Sequence, residues 1–160
     1  MKAVDNVERF LVHAIRLEHD AARRYEELAA AMRTDGNAEL RTFFARMAHF
    51  SRKHLAEAQA RGGFRELPLL APADFEWPEG IPPETADWAG VDAMMDAGDA
   101  LALAIDGERR GHAFYAAVAA TTRDPEVRRL AAEFADEEAQ HVAELERLID
   151  TRSGTLPSSV

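Results

Sequence analysis

The sequence predicts an all-α fold, a four-helix bundle made of two antiparallel helix hairpins joined by a long crossover between helices two and three. Apolar residues recur at three-four spacing in four separate stretches, which is typical of amphipathic helices. Turn-forming residues separate the first stretch from the second and the third from the fourth. Five of the seven prolines fall between residues 62 and 90, where a long helix is therefore excluded.

The first two helices are predicted to form a hairpin. The apolar stripe of helix one runs from about residue 6 to residue 32. An Asp-Gly-Asn turn follows, with Asn37 as a suitable N-cap, and helix two continues until Gly62. Because the turn between them is short, the two helices must lie antiparallel.

The crossover is predicted to span residues 62–90. If helices two and three run parallel, the connection must travel the length of a helix, roughly 30 Å. A loop of this length is expected to pack on the bundle as an ordered strap. Trp77 and Trp88 are expected to anchor the crossover or a dimer surface. The other apolar residues available for packing are Phe64, Leu67, Leu69, Leu70 and Phe75.

Start signals also define the last two helices. A short helix is expected over residues 91–97, after which Gly98 and Asp99 are expected to cap helix three. Helix four is expected to begin with Asp124 as N-cap and Pro125 as the first helical residue, where proline loses no hydrogen bond. The second hairpin is therefore made of helices three and four.

Length and composition fit one domain. The chain has 160 residues, of which 47% are hydrophobic, and this is enough to build a core. Helix four is expected to end near residue 150. We therefore assign residues 1–151 to a single four-helix domain and expect residues 152–160 to be a flexible tail.

Composition also narrows the function classes. The formal net charge is -10 and acidic and basic residues are mixed along the chain, so nucleic acid is not expected as a partner. No run of eighteen apolar residues occurs, so no membrane partner is expected and a cytoplasmic location is predicted. The sequence has no cysteine, which excludes disulfides, thiolate zinc sites and iron–sulfur clusters. Any metal must bind carboxylates and imidazoles.

Helix four carries a candidate metal-binding pair. Glu138 and His141 are three residues apart and project from the same side of a helix. Phe134 and Leu145 continue the same apolar stripe, so the pair is expected to point into the core. Burying an unpaired carboxylate costs several kcal/mol, and a cation is one of the few partners that offsets several carboxylates at once.

Helices one and three repeat this theme. Glu18 lies in the apolar stripe of helix one, and Glu108 lies in that of helix three. Each is followed seven residues later by a tyrosine on the same face, Tyr25 and Tyr115. These tyrosines are either core aromatic residues or groups that orient the carboxylates, and both roles are compatible.

Helix two aligns with helix four without a gap, which suggests two similar hairpins. In this alignment His54 corresponds to His141, while Ser51 corresponds to Glu138. Ser51 is therefore expected to border the site without being a ligand. The three histidines in the first 50 residues are expected at the surface, namely His13, His19 and His49.

This order of residues resembles the ferritin-like di-iron carboxylate superfamily, and within it the rubrerythrins, whose pattern is Glu, Glu-x-x-His, Glu, Glu-x-x-His on successive helices. The Ala-Ile-Asp-Gly-Glu sequence ending at Glu108 is especially similar, and the resemblance covers roughly residues 6–150. It implies the ferritin-like arrangement of the two hairpins, a homodimer, and oxygen or peroxide chemistry at iron. The metal ligands that the resemblance implies are Glu18, His54, Glu108, Glu138 and His141.

The sequence departs from the family pattern at two positions. Ser51 stands where the family has the helix-two Glu, and Gly111 stands where rubrerythrins have a further carboxylate. The rubredoxin domain, which needs cysteines, is missing from this sequence as well. His112, four residues after Glu108, is a possible extra metal ligand. Two metal ions are expected, or one ion if the half-site at Ser51 is empty.

Three functions fit these observations. The first is a non-haem di-iron oxidoreductase that acts on peroxide or oxygen, or oxidises ferrous iron, and receives electrons from an external donor. The second is a mononuclear or non-catalytic metal-binding bundle, favoured by Ser51. The third is a helical interaction module without metal. Carboxylate and imidazole ligands suit iron, manganese and zinc, so the metal itself stays open.

Overall fold

The computed structural model describes residues 2–33, 37–84 and 95–152. Four α-helices occur in these residues: α1 is Val7–Ala31, α2 is Ala38–Gly62, α3 is Ala97–Thr121 and α4 is Pro125–Arg152. The same residues contain no strand. The predicted all-α fold is confirmed.

The helices form two hairpins. α1 packs along α2, and α3 packs along α4, as the prediction of two hairpins in a four-helix bundle required. No described helix carries an apolar stretch that could cross a membrane.

Two separate apolar clusters fill the bundle. One lies towards the start of α1 and includes Phe10, Phe114 and Phe134. The other lies towards the end of α1 and includes Leu28 and Met47. Between them each helix contributes ionisable or small residues to a polar middle layer. Its buried residues include Glu18, Asp20, Arg24, Ser51, Gly107, Glu108, Gly111 and Glu138.

The crossover packs on the bundle only in part. Two short 3-10 turns occur at Pro72–Asp74 and Pro78–Gly80. Trp77 between them is buried, lying 5.2 Å from the stacked ring of Phe75 and 4.9 Å from the ring of Phe114, measured between centroids. The prediction that Trp77 anchors the crossover is confirmed, while Trp88 lies outside the described residues.

The expectation that Phe64 and Leu69 help to pack the crossover is wrong, because both side chains are fully exposed. The physical reason at Phe64 is the direction in which the chain leaves α2. The next side chain, Arg65, turns towards α1, where its Nη1 donates to Glu8 Oε1 at 2.7 Å. Phe64 is left on the outer side.

His13 is also a correction, since it was expected at the surface and is completely buried. Its Nδ1 donates to the carbonyl of Arg9 at 2.8 Å, and its Nε2 accepts from the backbone N–H of Glu76 at 2.9 Å. The returning crossover covers this side of α1, which helix periodicity alone does not reveal. His19 and His49 are exposed, as expected.

The predicted start of α4 is confirmed. The Asp124 carboxylate accepts from the backbone N–H groups of Glu126 at 2.9 Å and Val127 at 3.0 Å, and Pro125 is the first helical residue. α4 continues through Arg152, the first residue of the expected tail, and residues 153–160 lie outside the described part.

The predicted cap of α3 is wrong. Asp96 is the N-cap, and its carboxylate accepts from the backbone N–H of Asp99 at 2.8 Å. Gly98 and Asp99 therefore lie inside the first turn, because an aspartate two residues upstream of Gly98 supplies the stronger cap. Of the short helix expected over residues 91–97, residues 91–94 lie outside the described part, and the next two residues are not helical.

Candidate metal centre

The three predicted carboxylates lie in the polar middle layer. Glu18, Glu108 and Glu138 are 1%, 2% and 3% exposed, respectively. They come from α1, α3 and α4, and each occupies the core-facing side of its helix. The prediction that these side chains point inward is therefore confirmed. Their role as metal ligands stays a prediction.

Glu108, Glu138 and His141 form a compact group. Each offers one ligand atom, and these atoms all lie within 4.8 Å of one another. Nδ1 of His141 is 3.5 Å from Oε2 of Glu108. A first-row transition metal takes ligands of these types at about 2.0–2.2 Å, so a single ion between the three groups fits after small side-chain adjustments.

The charges of these three side chains influence one another. Burial alone raises the pKa of Glu108, but its close contacts with Glu138 and His141 and the positive charge of Arg24 lower it to about 2. Burial and the charge of Glu108 raise the pKa of Glu138 well above its usual range. Burial would lower the pKa of His141, but the nearby charge of Glu108 outweighs this effect and raises that pKa. The carboxylate pair therefore retains a proton that a cation can displace.

The second half-site is more open. Nδ1 of His54 is 3.8 Å from Oε2 of Glu18, and the ring of His54 stacks on that of His141 with 5.8 Å between centroids. Ser51, which stands where the family pattern has a carboxylate, is buried. Burial and the neighbouring His141 lower the pKa of His54, so its ring is held neutral, the form that binds metals.

The two tyrosines join the hairpins reciprocally. The hydroxyl of Tyr25 on α1 donates to Oε1 of Glu108 on α3. The hydroxyl of Tyr115 on α3 donates to Oε1 of Glu18 on α1 at 3.2 Å. Each phenol thus fixes one oxygen of a carboxylate from the other hairpin and leaves the second oxygen for another partner.

A second group of metal-ligand types was not predicted. His54, Glu57 and Glu137 each offer an atom within 4.8 Å of the other two, and all three residues are partly exposed. Nε2 of His54 is 3.2 Å from Oε2 of Glu137. The His54 ring therefore has Glu18 on its inner side and two glutamates on its outer side. Glu57 and Glu137 fall beside the predicted ligand stripe, so helix periodicity did not indicate them as metal ligands.

Sequence reasoning also missed a buried ion pair in the middle layer. Nη1 of Arg24 on α1 pairs with Oε2 of Glu84 in the crossover, and Nη2 of Arg24 is 4.0 Å from Oε1 of Glu108. The side chains of Arg24 and Glu84 are 3% and 1% exposed. The expected core stripe of α1 did not include Arg24, and Glu84 lies in irregular chain, where no periodicity assigns a face.

His112 lies apart from the compact group. Its Nδ1 donates to the backbone carbonyl of Ala135 at 2.9 Å, and the ring is partly buried. Among the described residues, His112 belongs to neither of the groups whose ligand atoms all lie within 4.8 Å of one another. The proposal that His112 is an extra ligand gains no support from this geometry.

The unsatisfied atoms of the layer fit a cation. Within residues 2–33, 37–84 and 95–152, buried atoms without a hydrogen-bond partner include Oε2 of Glu108, Oε2 of Glu138 and Nδ1 of His54. Such atoms are costly unless something binds them. All three are lone-pair donors suited to a transition metal. The residues present therefore fit the metal ions that the fold implies.

Carboxylates and histidines held in the middle of four helices define a ferritin-like helical carboxylate protein. Comparison with known families makes this specific. The rubrerythrin family model matches residues 9–60 and 99–159, and the chain belongs to the rubrerythrin family.

One solved structure supports the same fold. It is an uncharacterised conserved protein from Magnetospirillum magnetotacticum MS-1, 42% identical, with a TM-score of 0.76. The similarity covers 91% of this chain and 95% of that one. No curated protein sequence matches the chain.

Proposed function

We propose that the protein is a non-haem di-iron oxidoreductase that acts on peroxide or oxygen, or oxidises ferrous iron. The single observation that carries this proposal is the dry carboxylate and histidine layer between two apolar clusters of a rubrerythrin-family bundle. Two bound iron ions would supply a couple that cycles between ferrous and ferric states, with manganese and zinc as alternative occupants.

The residues of the layer have distinct roles in this proposal. Glu108, Glu138 and His141 would hold one ion, while Glu18 and His54 would hold the other. Metal binding would release the proton held by the Glu108–Glu138 pair, so affinity should fall at low pH.

The surroundings would prepare these ligands. The Tyr25 and Tyr115 hydroxyls fix carboxylate orientation in advance, which reduces the ordering needed on binding. The apolar clusters on either side limit water access, and charge interactions are stronger in such surroundings.

A second candidate function is a mononuclear or non-catalytic metal protein. It is favoured by the buried serine at position 51, which leaves the half-site of Glu18 and His54 one carboxylate short. In this case a single ion at Glu108, Glu138 and His141 would serve stability, storage or sensing.

Metal counting and redox titration separate the candidates. The purified protein is loaded anaerobically with ferrous iron, bound iron per chain is measured, and the loaded protein is titrated with peroxide and with oxygen. Near two ions per chain with iron oxidation supports the oxidoreductase. One ion per chain supports the second candidate, and two ions without oxidation would refute the redox role.

The matched variants for this test lie on α4. Glu138→Gln should abolish the oxidation and lower the amount of bound iron, because it removes a buried ligand. Glu146→Gln changes an exposed carboxylate on the same helix and should behave as wild type.

A chelator comparison tests whether any metal binds. A ligand bound only by the folded state raises the unfolding free energy, by about 2.7 kcal/mol at one hundred times its Kd. We expect the loaded protein to unfold at a higher temperature than the EDTA-treated protein. Identical melting, with no bound metal, would instead support an interaction module without metal.

We also propose a cytoplasmic homodimer that takes electrons from an external donor. The exposed Phe64 and Leu69 of the crossover are suitable contacts for a second copy. Sedimentation velocity of wild type and of a Phe64→Ser/Leu69→Ser variant tests the dimer. Cell fractionation tests the location, and reduction of the loaded protein by added donor proteins tests the electron supply.

A further inference from the structure

We propose that Glu84, which the crossover carries into the bundle, is an additional carboxylate ligand of the metal centre. This inference rests on the proposed function in one respect, namely that the centre binds metal. It goes beyond it by making the connection between the hairpins part of the site.

The burial of Glu84 is unusual for its position in the chain. The residue lies in an irregular segment, yet its side chain is 1% exposed. The adjacent backbone is held in place, since Nε of Arg110 on α3 donates to the carbonyl of Pro83 at 2.7 Å. A carboxylate at the surface is solvated by water, whereas burying one costs several kcal/mol of folding free energy unless it has partners. The burial of Glu84 therefore indicates that it has a partner in the interior.

The two oxygens of Glu84 face different partners. Oε2 pairs with Nη1 of Arg24. Oε1 points along α3 and lies 3.4 Å from the place that a Cβ on Gly111 would take. Oε2 of Glu138 lies 3.5 Å from that same place. Oε1 of Glu84 and Oε2 of Glu138, which come from different elements, thus border the same space that glycine leaves free, although Glu84 itself lies outside the compact group of Glu108, Glu138 and His141.

The ion pair with Arg24 does not provide a partner for every one of these carboxylate oxygens. In the described part of the chain, Oε1 of Glu84 and Oε2 of Glu138 are buried without a hydrogen-bond partner. One guanidinium serves a layer that also contains the carboxylates of Glu18 and Glu108. A buried ion pair by itself is a weak source of stability. A cation between Glu84 and Glu138 would bind the free oxygens, while Arg24 keeps the other oxygen of Glu84 oriented.

Two glycines of α3 leave room for this arrangement because they have no side chain. A Cβ on Gly107 would overlap Nη1 of Arg24 and lie 2.8 Å from Oε2 of Glu84. Gly111, one turn further on, leaves room for Oε1 of Glu84. α3 therefore carries no side chain where a carboxylate from the crossover enters.

Metal affinity of the full chain tests the proposal. Glu84→Gln keeps the shape of the side chain and removes its charge, and Glu66→Gln is the matched control because Glu66 is an exposed carboxylate of the same crossover. Mn²⁺ is titrated into each metal-free protein, and stoichiometry and Kd are measured by calorimetry. We expect Glu84→Gln to weaken one site at least tenfold or to lose it, and Glu66→Gln to match wild type. Unchanged Kd and stoichiometry in Glu84→Gln would overturn the proposal.

Two further variants guard against a folding artefact. Glu84→Asp keeps the charge but retracts the carboxylate by one methylene, so it should also weaken the site. Adding Gly111→Glu to Glu84→Gln returns a carboxylate from α3 and should restore affinity at least in part. If Glu84→Gln does not fold, wild-type affinity in Glu84→Asp overturns the proposal. A wild-type protein that binds no Mn²⁺ or Fe²⁺ would overturn the proposed function itself, which is a different outcome.

Discussion

Replacing Gly107 by alanine places one methyl group where Arg24 crosses α3. The new Cβ would overlap Nη1 of Arg24 and lie 2.8 Å from Oε2 of Glu84, so the guanidinium must leave its place. Arg24 is 3% exposed, and complete loss of its buried ion pair would cost roughly 3–5 kcal/mol, which is the upper limit if the long side chain finds no other place. Alanine in a helix interior returns about 0.5–1 kcal/mol relative to glycine. We expect the unfolding free energy to fall by up to about 4 kcal/mol.

Urea unfolding of the metal-free protein at constant pH, followed by circular dichroism, measures this loss. Gly111→Ala is the matched control, because it lies one turn along the same helix and its Cβ would meet only ordinary contacts of 3.4 Å or more. Both variants gain the same helix propensity, so their difference isolates the overlap. Gly107→Ala that is as stable as Gly111→Ala would refute the reasoning.

A double-mutant cycle identifies the cause. In an Arg24→Ala background the overlap with the guanidinium is gone and the 2.8 Å contact with Oε2 of Glu84 is left, so adding Gly107→Ala should cost much less than in wild type. A penalty as large as that in wild type would mean that Arg24 is not the cause.

Three further predictions concern other parts of the bundle. Burial lowers the pKa of His13, so the unfolded chain takes up a proton first as the pH falls, and stability should decline below about pH 6.5. His13→Gln should flatten that decline in denaturation measured between about pH 8 and pH 5, and a slope equal to that of the exposed-site control His19→Gln would contradict this. Ser51→Glu should tighten binding of a second metal ion in calorimetry, whereas unchanged second-site affinity would mean that position 51 does not reach the centre. Tyr25→Phe removes the hydroxyl that donates to Glu108 and should lower the unfolding free energy of the metal-free protein by roughly 1.5–3 kcal/mol, with no loss arguing against that bond.

Helix periodicity was enough to predict the fold and the inward carboxylates. Glu18, Glu108 and Glu138 each interrupt an apolar stripe, and an ionisable residue in a stripe must be buried with a partner. The seven-residue offset similarly placed Tyr25 and Tyr115 on the faces of the carboxylate helices. These features depend only on the geometry of one helix at a time.

Features that depend on the crossover could not be read in this way. Irregular chain has no period, so nothing in the sequence separates the buried Glu84 from the exposed Glu66 of the same segment. Arg24 and His13 were missed for a related reason, since each is buried by contacts with that segment. Phe64 shows the opposite case. It is apolar but exposed, because nothing in irregular chain requires an apolar side chain to face the core.

The exchange of hydrogen bonds between the hairpins links the geometry of the polar layer to folding order. Tyr25 and Glu108, like Tyr115 and Glu18, meet only after the two halves of the molecule have docked. A hairpin that has formed alone keeps its own carboxylate but lacks the phenol that orients it. The final orientation of Glu18 and Glu108 is therefore a property of the assembled bundle and of neither half.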